Sequence, residues 1–321
     1  MIQKKNDRPL ALIAMGGHAF IQEGERGTIE EHVSNSDHIA ELLMILVEKD
    51  YNLVITHGNG PQVGDLLVQN ELSREEVPPL PMDVLVAETE GSLGYILQQS
   101  LLNHMRKRNI RRYVVTMVTQ VLVDENDPAF ARPTKPIGPF LSKEEAEQRR
   151  KELGWDMTED SGRGWRRLVP SPVPEKVIQR LMIKDAACNG HIVIAAGGGG
   201  IPIKREKDGR YIGIEAVIDK DLTSSVLATD IGASLLIILT AVPRVYVNFG
   251  KPDQEPLGAV TLEEIEILRE KGHFPPGSMG PKVDAVIRFL QAGGQRALIT
   301  DPENLPSAIE GGVGTHFIGR I

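Results

Sequence analysis

Glycine clusters at the ends of short apolar runs constrain this chain more than any other feature. Of its 32 glycines, 18 fall in short motifs: GGHA (16–19), HGNGPQVG (57–64), EGSLGY (90–95), PTKPIGP (133–139), SGRGW (161–165), GGGGIP (197–202), GIEAV (213–217), NFGKP (248–252) and GSMGPK (277–282). Three follow runs that read as strands: Gly16-Gly17 after Leu10–Met15, Gly58-Asn59-Gly60 after Asn52–His57, and Gly197–Gly200 after His191–Ala196. In open α/β sheets ligands bind beyond the carboxyl ends of the strands. Glycine there lets backbone amides approach an anion, and a following helix N-terminus adds a favourable dipole. Three such loops on one sheet edge predict a polyanion site. Each glycine taken alone would serve only a tight turn.

The alternation of elements supports that sheet. Helical stretches are expected over Asp37–Glu48, Met82–Arg106, Glu175–Cys188, and 221–229, 262–271 and 281–292. Tyr113–Val123 is β-rich; strands are expected at 234–239, 244–248 and 296–300, and a hairpin at Ile201–Lys204 and Tyr211–Ile214, turned at Asp208-Gly209. Strands separated by single helices imply an α/β fold, with a mostly parallel central sheet sandwiched by helices. From Asp124 to Pro174 the pattern breaks into Pro, Gly and charged residues around one helix, Ser142–Leu153, whose Ser142 and Glu145 fit a capping box. A structureless loop of that length is unusual in a compact domain. The segment reads as a small protruding subdomain or lid.

Two common phosphate-binding folds are excluded. Gly58, Gly60 and Gly64 have one residue too many between the second and third glycines for a dinucleotide fingerprint, and no acidic residue ends a strand at the required offset. No G-x-x-x-x-G-K-[ST] loop is present. A phosphate site built from several separate loops remains. Its counter-charges must come from elsewhere, because phosphoryl transfer needs them around the moving group. Lys135, Lys220 and Lys282 occupy rigid proline-, glycine- or cap-bounded contexts, with Asp219 as a helix cap and Asp221 able to hold lysines in place. Composition alone does not select these three.

Composition narrows the partners. Acidic residues outnumber basic ones 44 to 36, for a net charge of −8, which argues against nucleic acid. A single cysteine, Cys188, excludes an internal disulfide and a cysteine-built zinc site. Aromatics at 4% offer few stacking platforms. No apolar stretch approaches the ~20 residues of a membrane span. Lys4, Lys5 and Arg8 ahead of Pro9–Met15 superficially resemble a signal peptide, but the apolar part is short and runs into Gly16-Gly17. It reads as a buried first strand, and a cytoplasmic location is expected.

Taken together the motifs resemble carbamate kinase, within the amino acid kinase fold, over Leu12 to Thr315. TQVLVD (119–124), DPAFARPTKPIGPF (127–140), GRGWRRLVPSP (162–172), GIEAVIDKDL (213–222), NFGKPD (248–253) and GHFPPGSMGPKV (272–283) all look like family segments, in the family's order. The resemblance implies reversible phosphoryl transfer between ATP and carbamate, with Mg²⁺ on the nucleotide, usually run from ADP and carbamoyl phosphate toward ATP, in a homodimer. It also implies two lobes. Residues 1–214, including the protruding subdomain at about 125–173, would bind carbamate or carbamoyl phosphate through Gly16, Gly17, His18, Gly58, Asn59 and Gly60. Residues 215–321 would bind the nucleotide through Thr240, Tyr246, Gly277, Ser278 and Met279. Lys135, Lys220 and Lys282 would neutralise the transferred group, and Asp221 would organise the lysines.

Three positions depart from the family's pattern: His18 stands where Asn is usual, Glu90 where Gln is usual, and Pro243 where Asp is usual. His18 and Glu90 keep open a kinase of another small carboxylate, carbamate or phosphate acceptor; a second alternative, a nucleotide or metabolite sensor that retains the fold, is opposed by the presence of all three lysines and Asp221.

Overall fold

A computed structural model describes residues 8–22, 24–160, 162, 164–275 and 277–319, with the side chain of His18 left aside. Lys4 and Lys5, Ser161 and Arg163 of SGRGW, and Pro276 lie outside the described residues. The first half runs β1 (Leu10–Met15), α1 (Ile29–Glu48), β2 (Asn52–His57), α2 (Gly60–Ser73), α3 (Met82–Lys107), β3 (Val114–Met117) and β4 (Gln120–Val123). Then come α4 (Pro128–Ala131), β5 (Lys135–Leu141), α5 (Lys143–Leu153), β6 (Met157–Glu159), β7 (Trp165–Val169), β8 (Pro174–Val177), α6 (Arg180–Cys188), β9 (Ile192–Ala195), β10 (Ile201–Arg205) and β11 (Tyr211–Gly213). The remainder is α7 (Lys220–Ile231), β12 (Leu235–Leu239), β13 (Tyr246–Val247), β14 (Glu255–Pro256), β15 (Ala259–Thr261), α8 (Leu262–Glu270), α9 (Met279–Gln291), β16 (Arg296–Thr300), α10 (Leu305–Ile309) and β17 (Thr315–Ile318).

One sheet organises the molecule, in the order β15-β17-β16-β12-β1-β2-β9-β3. Every neighbouring pair is parallel except β16 with β17. The four strands from β15 to β12 come from 215–321 and the four from β1 to β3 from 1–214, joined where Ala11 pairs with Leu235 and Met15 with Leu239. The apolar runs are continuous because both faces are covered. Leu10, Leu12 and Ala14 pack on the face carrying α6, α7 and α9, while Ala11, Ile13 and Met15 pack on the face carrying α1, α3 and α10. Among the described residues no helix is long and apolar enough to cross a membrane.

The irregular insert contains its own small sheet, β5-β7-β6, with α5 beside it. Ser142 and Glu145 form the expected capping box. The subdomain leans on α2, where a Cβ at Gly64 would collide with the Gly138 Cα; Gly138 itself takes φ +81°. Val63, Met82, Val86, Ile137, Val169 and Val217 form a third small core beneath it.

Several sequence expectations need correction. The first helix starts at Ile29 rather than Asp37, because Thr28 and Glu31 cap each other's backbone. Glu175–Val177 is strand β8, not helix; its residues pair with β4, and the helix begins only at Arg180. Tyr113–Val123 splits into β3 in the main sheet and β4 in a second sheet, β11-β10-β4-β8. Residues 244–248 contribute only the two-residue β13, and Gly60–Ser73 forms helix α2 although its glycines mask a helical pattern.

The backbone contact at Gly64 predicts that Gly64→Val detaches the subdomain while the main sheet stays folded. Hydrogen exchange should quicken across β5 and β7 and stay slow in β1 and β12; unchanged exchange in β5 would show that this contact does not seat the subdomain.

Candidate active site

The carboxyl ends of β1, β2, β9 and β12 bring the glycine loops and the lysines to one edge. Asp219 caps α7, its Oδ1 accepting from the backbone N–H of Asp221 at 2.9 Å and of Leu222 at 3.2 Å. The cap sets the next two residues inward. Lys220 Nζ donates to Asp221 Oδ1 at 2.5 Å, and Lys282 Nζ, from the first turn of α9, donates to Asp221 Oδ2 at 3.1 Å. Lys135 arrives from β5 of the subdomain, donating to the Ile218 carbonyl at 3.1 Å and to Asp219 Oδ2 at 3.3 Å. The subdomain thus rests with Lys135 against the cap of α7.

Burial decides the electrostatics here. Asp221 is 3% exposed. Burial opposes its charge, but the Lys220 and Lys282 ammoniums hold its pKa well below the usual carboxylate range. Desolvation pulls the Lys220 pKa down, with Asp221 countering and Lys282 adding to the fall. For Lys282 burial works in the same direction, yet Asp221 and Asp219 outweigh it and the pKa rises. One carboxylate therefore serves two ammoniums, leaving a surplus of positive charge on two largely buried lysines.

The glycine loops pack so closely that side chains are excluded. Gly58 N–H donates to the Met15 carbonyl at 3.1 Å, and a Cβ at Gly58 would lie 3.0 Å from the Gly17 amide nitrogen. At Gly197 a Cβ would lie 2.5 Å from His57 Cε1. His57 is buried, and desolvation lowers its pKa to about 4, so its ring is neutral at physiological pH. Asn59 packs under Gly198 and gives its amide to Thr89 Oγ1 at 2.8 Å.

A cleft of about 820 Å³ opens from these groups. Gly16, Gly17, Lys220 and Lys282 line it at the lysine end, and Thr240, Tyr246 and Gly277–Met279 line it beyond. Gly58, which packs against Gly17, does not line it, and neither do Asn59, Gly60, Asp221 or Lys135. His18 sits in a 3₁₀ turn, Gly17–Ala19. Sequence reasoning missed the opposite wall. Asn35 and His38 of α1 and Asp301 and Glu303 after β16 line the cleft, and His38 Nε2 meets Glu303 Oε1 at 2.5 Å. The one available signal was that Asp301 directly follows strand 296–300 at the same carboxyl edge. Phe249, 5.9 Å from the Tyr246 ring, also lines the cleft. Pro243, in the loop after β12, accepts a hydrogen bond through its carbonyl from Thr300 Oγ1 at 3.4 Å.

The model of the amino acid kinase family matches residues 9–301. The chain belongs to that family. It is 47% identical to a carbamate kinase of Thermococcus kodakarensis over 310 residues, 96% of this chain and 98% of that protein. A carbamate kinase of Pyrococcus furiosus is 46% identical over 309 residues, again 96% of this chain and 98% of that protein. Among solved structures, a carbamate kinase from Giardia lamblia bound to AMP-PNP superposes with a TM-score of 0.90 at 40% identity, covering 98% of this chain and 99% of that one. The protein is a kinase, a transferase of phosphoryl groups, and as a kinase it uses a nucleotide.

Asp221→Asn leaves two buried ammoniums facing each other, and should lower stability at neutral pH by about 3–5 kcal/mol. Because the folded-state pKa of Asp221 is depressed, the parent's advantage is complete above the ordinary carboxyl value of 3.8 and fades as pH falls below it. Urea unfolding at neutral and acid pH measures both; equal midpoints at neutral pH would remove Asp221 as the organiser of the lysines.

Proposed function

We propose that the chain is a carbamate kinase, transferring a phosphoryl group between ATP and carbamate and running from ADP and carbamoyl phosphate to ATP in the catabolic direction. The observation that carries the reading is the pair of ammoniums lining the cleft that one buried carboxylate holds. In-line transfer between two anions needs positioning and charge neutralisation more than covalent chemistry. Lys220 and Lys282 would face the equatorial oxygens of the moving group, and Lys135 would complete the set from the subdomain. Carbamate is already an anion, so no general base is required. Residues 1–214 form the carbamate side in this reading, with Gly16, Gly17 and His18 nearest the substrate and Gly58, Asn59 and Gly60 backing them. Residues 215–321 form the nucleotide side, with Thr240, Tyr246 and Gly277–Met279 along the nucleotide's path.

Mg²⁺ would enter on the nucleotide. Asp219 and Asp221 already accept from lysines and backbone amides, and no cluster of His, Cys, Asp or Glu among the described residues forms a cage for a cation. That donor set suits Mg²⁺ carried mainly by phosphate oxygens and water. The ion would offset phosphate charge, while the lysines fix where the phosphates lie.

A homodimer is part of the reading. Strand β3 is a sheet edge, and Tyr113 and Val118 at its ends, Tyr95 on α3, and Leu181 and Met182 on α6 are exposed. An unpaired edge flanked by apolar side chains on both layers suits a second copy of the chain. A cytoplasmic setting is also proposed, since the run Leu10–Met15 is taken up as the buried strand β1.

Purified protein with Mg²⁺, ADP and carbamoyl phosphate should form ATP, and far less with acetyl phosphate. Lys220→Ala, Lys282→Ala and Lys135→Ala should each cost ~10²–10³ in kcat with folding retained. Near-normal turnover in a variant removes that lysine from the site, and preference for acetyl phosphate overturns the assignment of substrate. For the assembly, light scattering should give twice the chain mass, and Tyr113→Asp with Leu181→Glu should halve it; a monomeric parent would sink the dimer.

A further inference from the structure

Glu90 is a buried carboxyl that the proposed chemistry does not use. It projects from α3 beneath the loop that follows β9 and is 1% exposed. Its Oε2 accepts from the Thr119 backbone N–H at 2.8 Å, and the Gly197 N–H also hydrogen-bonds to the carboxyl. Thr119 extends the tie, because its Oγ1 accepts from the Ala196 N–H at 3.0 Å and donates to the Met117 carbonyl at 2.7 Å. The loop needs holding. Ala196 has φ +51°, costly for a residue with a Cβ, and Gly198, Gly199 and Gly200 follow with φ +67°, +96° and +86°. Gly197 is clasped from both sides, since a Cβ there would lie 2.5 Å from His57 Cε1 and 3.1 Å from Glu90 Cγ.

The other oxygen has no such partner: Glu90 Oε1 is buried without a hydrogen bond. No ammonium or guanidinium pairs with Glu90 among the described residues. The titratable group facing it across Gly197 is His57, which is neutral, and the Lys220 ammonium bears on His57 in turn. An isolated buried carboxylate is expensive, and the usual response is to take up a proton. Desolvation pushes the carboxyl well above its ordinary range, opposed only by the Thr119 and Gly197 N–H groups.

We propose that Glu90 is a positioning residue that works as a neutral carboxylic acid, clamping the Thr119 turn and the 196–200 loop against His57 without placing negative charge behind the anion-binding edge. The idea rests on the phosphoryl-transfer reading for its consequence. Ionised, the same carboxyl would offset part of the positive field of Lys220 that a phosphorylated substrate meets, and would loosen its own buried seat. A neutral acid and a primary amide present the same pattern of one acceptor and one donor edge. Glu90→Gln therefore keeps the clamp and removes the titration, whereas Glu90→Ala loses both.

Infrared difference spectra of the parent against Glu90→Gln test the protonation directly. The parent at neutral pH should show the carbonyl stretch of a protonated carboxyl that the variant lacks, and alkali should abolish it. Amides of Ala196 and Gly197 should exchange as slowly in Glu90→Gln as in the parent, and much faster in Glu90→Ala. In ATP formation from ADP and carbamoyl phosphate, kcat/KM of Glu90→Gln should match the parent at neutral pH and exceed it several-fold at alkaline pH. Absence of the acid band at neutral pH overturns the proposal, and so do parallel pH profiles, which would leave Glu90 a packing residue. A parent that makes no ATP from carbamoyl phosphate sinks the carbamate kinase reading alone; the infrared band and the amide exchange still decide the case for Glu90.

Discussion

Lys220 and Lys282 lie on neighbouring helices and would repel each other strongly in a buried site without the Asp221 carboxylate between them. Much of the surrounding structure serves that contact. Asp219 caps α7 and turns Lys220 and Asp221 inward, α9 packs along α7 and so brings Lys282 within reach, and β12 feeds the loop that faces both. The arrangement is costly in isolation, because three charged groups leave water together. It is tolerated because each oxygen of Asp221 meets one ammonium and the surplus charge points into a cleft open to a ligand.

Glycine supplies the other half of the design by removing side chains where backbones must touch. Gly58 lies against Gly17, Gly64 against Gly138, Gly197 between His57 and Glu90, and Gly198 against Asn59. These contacts join the ends of β1, β2 and β9, and the subdomain, into one packed edge. In the second loop Gly58 leans on Gly17 and Asn59 packs against Gly198, and neither they nor Gly60 line the space. A glycine-rich motif thus marks two jobs that sequence cannot separate: exposing an amide to a ligand, and letting one backbone lean on another.

The legible parts of the fold were those specified by local chemistry. Leu10–Met15, Asn52–His57 and 296–300 read as strands with their observed limits, since each is an apolar run closed by a polar or glycine residue, and the Ser142–Glu145 cap was visible from spacing alone. What escaped depended on partners distant in sequence. Glu175–Val177 has helical composition but is captured by β4, and β5, β6 and β7 form a sheet from residues with little strand periodicity. In the site, the lysines stood out through rigid neighbours and the family's motif order. Asn35, His38 and Glu303 did not, because they sit on an ordinary helix and an ordinary loop and meet only through the packing of α1 beside α10.

Charge distribution resolves an apparent conflict between an acidic protein and an anionic ligand. A net charge of −8 is spread over the surface, and at physiological ionic strength exposed charges are screened beyond ~8 Å. Inside the cleft screening is weak, so a few buried groups set the local field. At the lysine end Lys220 and Lys282 outnumber the Asp221 carboxylate that holds them, His57 is uncharged because burial lowers its pKa to about 4, and the acidic Asp301 and Glu303 stand on the opposite wall. Every buried titratable group near the edge therefore matters to the count. An acid at Glu90 fits such a site only if it contributes no charge, and the same burial that makes its ionisation costly makes it a stiff support for the loop above it.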